Sequence, residues 1–263
     1  MIEDTKTPKS SHVQSVARAL SILDLLACEN REMSLTEIAK TMGWPKSTAH
    51  GLIATLRDYY YIDQSPVTGY YRLGVRLFEI GNAVARSWNI RALAVPAMEG
   101  LNNRLGEMVQ LATEDKGEVL YLEKLDSTHI IRIVSEIGMR LPMHCTGLGK
   151  ALLAYKRPVE IKSILSKHGM NRMTARTITD REQLERELIN IRKQGYAVDD
   201  REIMESLRCV AAPIFDRDGN VKYAVSVSGL ATSMYGERLN MVREELLRAT
   251  DGISYAMGYR KSR

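Results

Sequence analysis

Between residues 34 and 57 the chain reads SLTEIAKTMGWPKSTAHGLIATLR, and few backbones accommodate this stretch. Ser34 and Glu37 have capping-box spacing: the serine accepts from a free amide while the glutamate reaches back to the cap. They open a helix carrying Leu35, Ile38, Ala39 and Met42, and Gly43 closes it. Pro45 suits the first turn of the next helix, where its missing N–H costs nothing. Upstream, Val13, Val16, Leu20, Leu23 and Ala27 recur at three- and four-residue spacing, which predicts an earlier helix with this stripe turned inward. Downstream, YYYIDQSPVTGYYRLG holds two β-favouring runs around a Ser65–Gly69 loop, a predicted hairpin. Three short helices and a hairpin make a small winged unit.

On a helical wheel, Ala49, Leu52, Ile53 and Leu56 share the inner face of the third helix. The outer face carries Ser47, Gly51 and Ala54, flanked by Thr48, His50, Thr55 and Arg57. No acid occurs between Ile38 and Arg57. A helix entering a DNA major groove needs such a surface: small, tipped with hydrogen-bonding groups and free of carboxylates facing phosphates. Lys46 can meet a phosphate beside the free amides of the helix start. Tyr70, Tyr71 and Arg72 of the hairpin suit backbone contacts. The competing reading is an ordinary surface helix whose hydroxyls serve as caps.

Bulk charge does not decide between them. The chain nets +5, yet residues 1–75 hold eight Lys/Arg against eight Asp/Glu. Local arrangement, not bulk charge, therefore points to DNA. With 263 residues and 44% hydrophobic content, the chain has material for a large core or two smaller ones. Its apolar runs are short for a membrane span and its start lacks a signal-like segment, so no membrane and a cytoplasmic location are expected. Cys28, Cys145 and Cys209 are odd in number and contain no C-x-x-C, which disfavours a disulfide framework. Cys145, His144 and Cys209 match no zinc spacing. Neither metal nor cofactor is expected.

Helical patterns return over residues 74–88 and 91–105, with Pro96 in an early turn or at a kink. After Gly106, Val109-Leu111-Thr113, Val119-Tyr121-Glu123 and Ile131-Ile133 alternate as strands do. Helices are predicted near 147–155, 158–167, 180–195 and 235–258. CVAAPIFDRDGNVKYAVSVSG reads as two strands about an Asp-Gly turn.

Three stretches carry a resemblance. SLTEIAKTMGWPKSTAHGLIATLRDYYYI resembles the DNA-binding domain of the IclR family of bacterial transcription regulators. LPMHCTGLGKALLAY and GYAVDDREIMESLRCVAAPIFDRDGNVKYAVSVSG resemble its effector domain, in the same order along nearly the whole chain. The resemblance implies an α+β protein: a flexible N-terminus (1–12), a winged helix-turn-helix DNA-binding domain (13–75), a linker helix (76–90) and a GAF-like αβ effector-binding domain (91–263). It implies a homodimer or homotetramer acting on a double-stranded DNA operator as a repressor. Lys46, Ser47, Thr48 and His50 are expected at DNA, with Arg57, Tyr71 and Arg72 beside them. The family usually has arginine where this chain has Gly51, so DNA binding here is weaker or rests on other side chains. A metabolite sensor with weakened DNA binding is the alternative.

Within the second half, Thr146 reads as an N-cap, and Gly147 and Gly149 are expected to let a ligand approach the backbone. Ala224, Ser226 and Ser228 share one strand face, either a polar pocket wall or a solvated surface. In relatives that bind small 2-oxo acids, the ligand-holding positions correspond to Gly147, Leu148, Asp199, Cys209, Ser226 and Ser228. Leu148 departs from the family's alanine and takes space. Asp199 either accepts from a ligand hydroxyl or caps a helix near Arg201. Cys209 is either a ligand contact or a small buried apolar residue. Met143 and Met204 are expected to supply an apolar wall. The effector is a small carboxylate: an oxo acid, a sugar acid or an aromatic acid. A thiol enzyme using Cys145 and His144 is the rival from another class. Adjacent strand residues point oppositely and no acid is placed to orient the histidine, so no catalytic residues are assigned.

Overall fold

A computed structural model describes residues 13–87, 89–128 and 136–260. The 1–12 segment, His129 and the Ile131-Ile133 strand lie outside them. The chain forms two compact units with their boundary between residues 88 and 89. Among the described residues no helix is long and apolar enough to cross a membrane.

The first unit is a winged helix-turn-helix. Helices α1 (Gln14–Glu29), α2 (Leu35–Met42) and α3 (Lys46–Asp58) precede a hairpin of β1 (Ile62–Gln64) and β2 (Tyr71–Leu73), and α4 (Val75–Ser87) follows. The capping box is formed: Ser34 Oγ accepts from Glu37 N–H and Glu37 accepts from Ser34 N–H at 2.8 Å. Gly43 ends α2 at φ 66°, a left-handed conformation that glycine adopts without a Cβ penalty. Its N–H reaches back to the Ala39 and Lys40 carbonyls. Ile22, Leu26, Met33, Ile38, Ile53, Ile62 and Tyr71 fill the core.

The α1 stripe is a correction. Val13, Val16 and Leu20 are 55–65% exposed, and α1 buries Ile22 and Leu26 instead. The helix carries two apolar sets about a third of a turn apart, and their spacing does not say which one meets α3 and β2.

The second unit is built on a six-stranded antiparallel sheet, ordered β5-β4-β3-β8-β7-β6. Helix α5 (Asn89–Leu105) leads into β3 (Met108–Asp115), β4 (Glu118–Leu125) and β5 (Arg140–Pro142). Helices α6 (Gly147–Leu153), α7 (Pro158–His168) and α8 (Arg181–Gln194) follow, then β6 (Ala197–Asp200), β7 (Leu207–Phe215), β8 (Val221–Leu230) and α9 (Gly236–Ala256). Pro96 lies inside α5. Helices α5 and α9 pack together and on the sheet. On the face with α6 to α8, Ala112, Ala211 and Ala224 join a core with Leu148, Leu152, Leu184 and Leu188. β7 and β8 are covered on both faces, and their central residues are buried almost without interruption.

Candidate functional site

Lys46, Ser47, His50 and Arg57 are exposed on α3, and Thr48 is half-buried. Ala49 and Ile53 on the opposite side are buried. Arg57 donates to Gln64 Oε1 at 3.0 Å, tying α3 to the hairpin. Arg72 is exposed and pairs with Glu32 at 3.2 Å. Tyr71 is a correction: it is 6% exposed and part of the core, whereas Tyr70 is 42% exposed. On a strand one neighbour must face inward, and the Gln64–Tyr71 pairing, two along from the Ile62–Leu73 pair, puts Tyr71 on the same face as buried Ile62. A Cβ on Gly51 would meet nothing within 4 Å.

In the second unit, the sheet register assembles the other residues. Asp199 pairs with Cys209 and Cys209 with Ser228; Ala211 pairs with Ser226 and Ser226 with Gln110. Paired residues share a face in an antiparallel ladder, so this surface is polar in a diagonal band and small at its alanines. Helix α6 settles against the small residues: a Cβ on Gly147 would lie 3.3 Å from Ala211 Cβ. Above the band is a cavity of about 270 Å³. Gly147, Leu148, Asp199, Cys209, Ser226 and Ser228 all line it.

Met143 does not line it. That side chain is buried in the core with Leu148 and Leu152, and Met204 is the one of the two predicted methionines at the cavity. Gly149 also acts differently from expectation. A Cβ on Gly149 would fall 2.3 Å from the Met143 carbonyl oxygen, so this glycine serves a backbone crossing, not a ligand. Thr146 caps α6 by accepting from Gly149 N–H at 3.1 Å.

Gln110 escaped sequence reasoning. Both Ser226 and Ser228 donate to its Oε1, at 3.3 and 3.1 Å. The available signal was an amide inside the apolar run MVQLA, since a buried polar side chain needs a partner. Tyr121, Met139, Leu141, Met173, Ile203 and Leu207 complete an apolar wall.

Asp199 is 1% exposed. Its Oδ1 accepts from Glu202 N–H at 2.7 Å, closing a turn, while Oδ2 has no hydrogen-bond partner. Burial pushes its carboxyl up to about 7; the Glu202 charge adds to this, and the Glu202 amide and Lys150 oppose it. Lys150 is buried with its ammonium on Glu202, on the Val198 carbonyl at 2.7 Å and near Glu187 at 3.5 Å.

Two segments meet over the cavity. Thr174 donates to the Arg201 carbonyl and Thr177 to the Glu202 carbonyl, both at 2.7 Å. Arg176 donates to Asp200 at 2.5 Å. These bonds join the strip carrying Met173 to the strip carrying Ile203 and Met204.

Cys145 is buried, and burial pushes its thiol up to about 12, which opposes a nucleophilic thiolate. His144 is buried, with Nε2 at 3.0 Å from the Asn171 carbonyl. Burial also drives Cys209 well above the ordinary thiol range.

Comparison with known proteins bears on both units. Residues 15–66 match the IclR helix-turn-helix domain, and residues 82–255 match the bacterial transcriptional regulator IclR C-terminal family. The HTH-type transcriptional regulator XynR of Escherichia coli is 39% identical over 94% of this chain and 98% of its own. The transcriptional repressor IclR of the same organism is 32% identical over 95% of this chain and 92% of its own. The crystal structure of the Thermotoga maritima IclR superposes with a TM-score of 0.81 at 32% identity, covering 94% of this chain and all of that one. An IclR homologue from Microbacterium hydrocarbonoxydans, complexed with 4-hydroxybenzoate, gives 0.84 at 27%, covering 93% and 99%.

Proposed function

Because the chain belongs to the IclR family of bacterial transcription regulators, we propose that it is a repressor whose operator binding is set by a small carboxylate in the second unit. The observation that carries this reading is the cavity of about 270 Å³, lined on one side by Asp199, Cys209, Ser226 and Ser228 and on the other by Leu141, Met173 and Met204. An oxo acid, a sugar acid or an aromatic acid meets both walls: hydrogen-bonding groups take the polar end and the apolar wall takes the body. The 4-hydroxybenzoate held by the Microbacterium homologue supplies one probe from the aromatic class.

Lys46, Ser47, Thr48 and His50 contact operator DNA, with Arg57 and Arg72 at its backbone. The protein acts as a homodimer or homotetramer in the cytoplasm. The effector shifts DNA affinity to the extent that it binds the DNA-competent and DNA-incompetent arrangements unequally. The family is one of regulators, not enzymes.

The test is titration of the full chain into duplex from upstream of its own gene, with and without pyruvate, D-gluconate or 4-hydroxybenzoate. Wild type is expected to bind with steep salt dependence and to be released by one class of acid. Combined Lys46→Ala and Ser47→Ala should weaken binding at least tenfold and flatten the salt slope. Unchanged binding removes these residues from the interface. The exposed Gly51 favours a second reading, a sensor with weakened DNA binding; genome-wide footprinting that finds no occupied sites would support it.

A further inference from the structure

Among the described residues the cavity is lined by no lysine, arginine or histidine, although it does contain Asp199. Resting on the effector reading above, we propose that Asp199 carries the proton that admits an anion. The acid binds as a carboxylate while Asp199 is protonated, and one hydrogen lies between a ligand oxygen and Oδ2.

The groups around Asp199 leave little alternative for charge balance. From β7 comes Cys209, from β4 Tyr121 and from the segment before α6 Cys145, and all three are held protonated by burial. Lys150 of α6 is the nearby cation, but it is engaged by Glu202 and Glu187 and does not line the cavity. These two acids already outnumber it. Arg201 pairs with Asp200 at 3.5 Å and is likewise outside the lining. Two ionised carboxylates do not share such a site; the like-charge pair retains one proton. Oδ1 is held by Glu202 N–H, which leaves Oδ2 as the atom that bears it.

The proton comes from solvent. Binding therefore takes up one proton wherever the empty site is ionised, and Kd should rise about tenfold per pH unit above about pH 7. Calorimetry of the full chain with pyruvate, D-gluconate and 4-hydroxybenzoate, from about pH 6 to about pH 9 in buffers of low and high ionisation heat, reads this directly. Asp199→Asn keeps an oxygen for Glu202 N–H and should abolish both the uptake and the pH dependence. Binding of an acid with no proton uptake and a flat Kd overturns the proposal and leaves the effector reading standing. If none of the acids binds at any pH, the effector reading falls and the proposal falls with it. A γ-¹³C aspartate resonance that disappears in Asp199→Asn and stays ionised down to about pH 5 also overturns the proposal.

Discussion

Gly51→Arg separates what the third helix lacks from what it does. Glycine inside a helix costs about 1 kcal/mol relative to alanine, and arginine is among the better helix formers. Position 51 is exposed and a Cβ there meets nothing within 4 Å, so the side chain extends without displacing a neighbour. The variant should therefore stabilise the first unit by nearly that amount, roughly 4–8 °C in Tm for a domain of this size. If this face lies against DNA, the guanidinium also adds a phosphate or base contact. Each neutralised phosphate steepens the slope of log K against log salt by about 0.9, so a fourfold rise in salt costs roughly three- to fourfold more affinity per added contact. Fluorescence anisotropy with the upstream duplex at about 50 and about 200 mM salt measures this. Gly51→Ala supplies the helix gain without the charge. Gly51→Arg should exceed Gly51→Ala in affinity and salt slope, and equal it approximately in Tm. If the two variants bind alike at both salt concentrations, the α3 outer face is not at the nucleic acid.

Three further outcomes are expected. Ser226→Ala combined with Ser228→Ala removes two hydrogen-bonding groups worth about 1 kcal/mol each, so acid binding by calorimetry should weaken about thirtyfold; intact binding would remove the serines from the site. Gly149→Ala drives a methyl into the Met143 carbonyl at 2.3 Å and should destabilise the second unit by on the order of 3 kcal/mol in urea unfolding, with no direct loss of ligand contacts. Asp199 binds its proton more tightly folded than unfolded, its carboxyl being raised from 3.8 to about 7. The stability this gives is full below about pH 4 and is lost as pH rises to about 7. Asp199→Asn lacks that loss, so its stability relative to wild type should grow between about pH 5 and about pH 8 by a few kcal/mol, read as a widening gap in urea midpoints.

What was legible in the sequence was what local chemistry dictates. Ser34, Glu37, Gly43 and Pro45 each have a backbone reason for their places, so α2 and α3 could be placed closely. The Ser226 and Ser228 pair was legible because strand alternation puts both on one side. Readings that depend on tertiary partners were less secure. Val13, Val16 and Leu20 form as good a stripe as the buried one, and Tyr70 and Tyr71 differ only in strand register. Met143 and Met204 are interchangeable by composition, yet one is in the core and the other at the cavity. Gln110 sits about 116 residues from the serines that bond to it, a separation no local pattern bridges.

The threonine bonds that join the Met173 strip to the Met204 strip end at the turn that Asp199 clasps through Glu202 N–H. A guest that forces the methionines outward therefore tugs on the same peptide that steadies the acid. Bulk and charge are weighed on one balance: an oversized molecule disturbs the carboxyl even without touching it, and a mischarged one loosens the seam above it. On the proposed effector reading, discrimination among metabolites belongs to this shared seam of amides, not to separate contacts tuned one at a time.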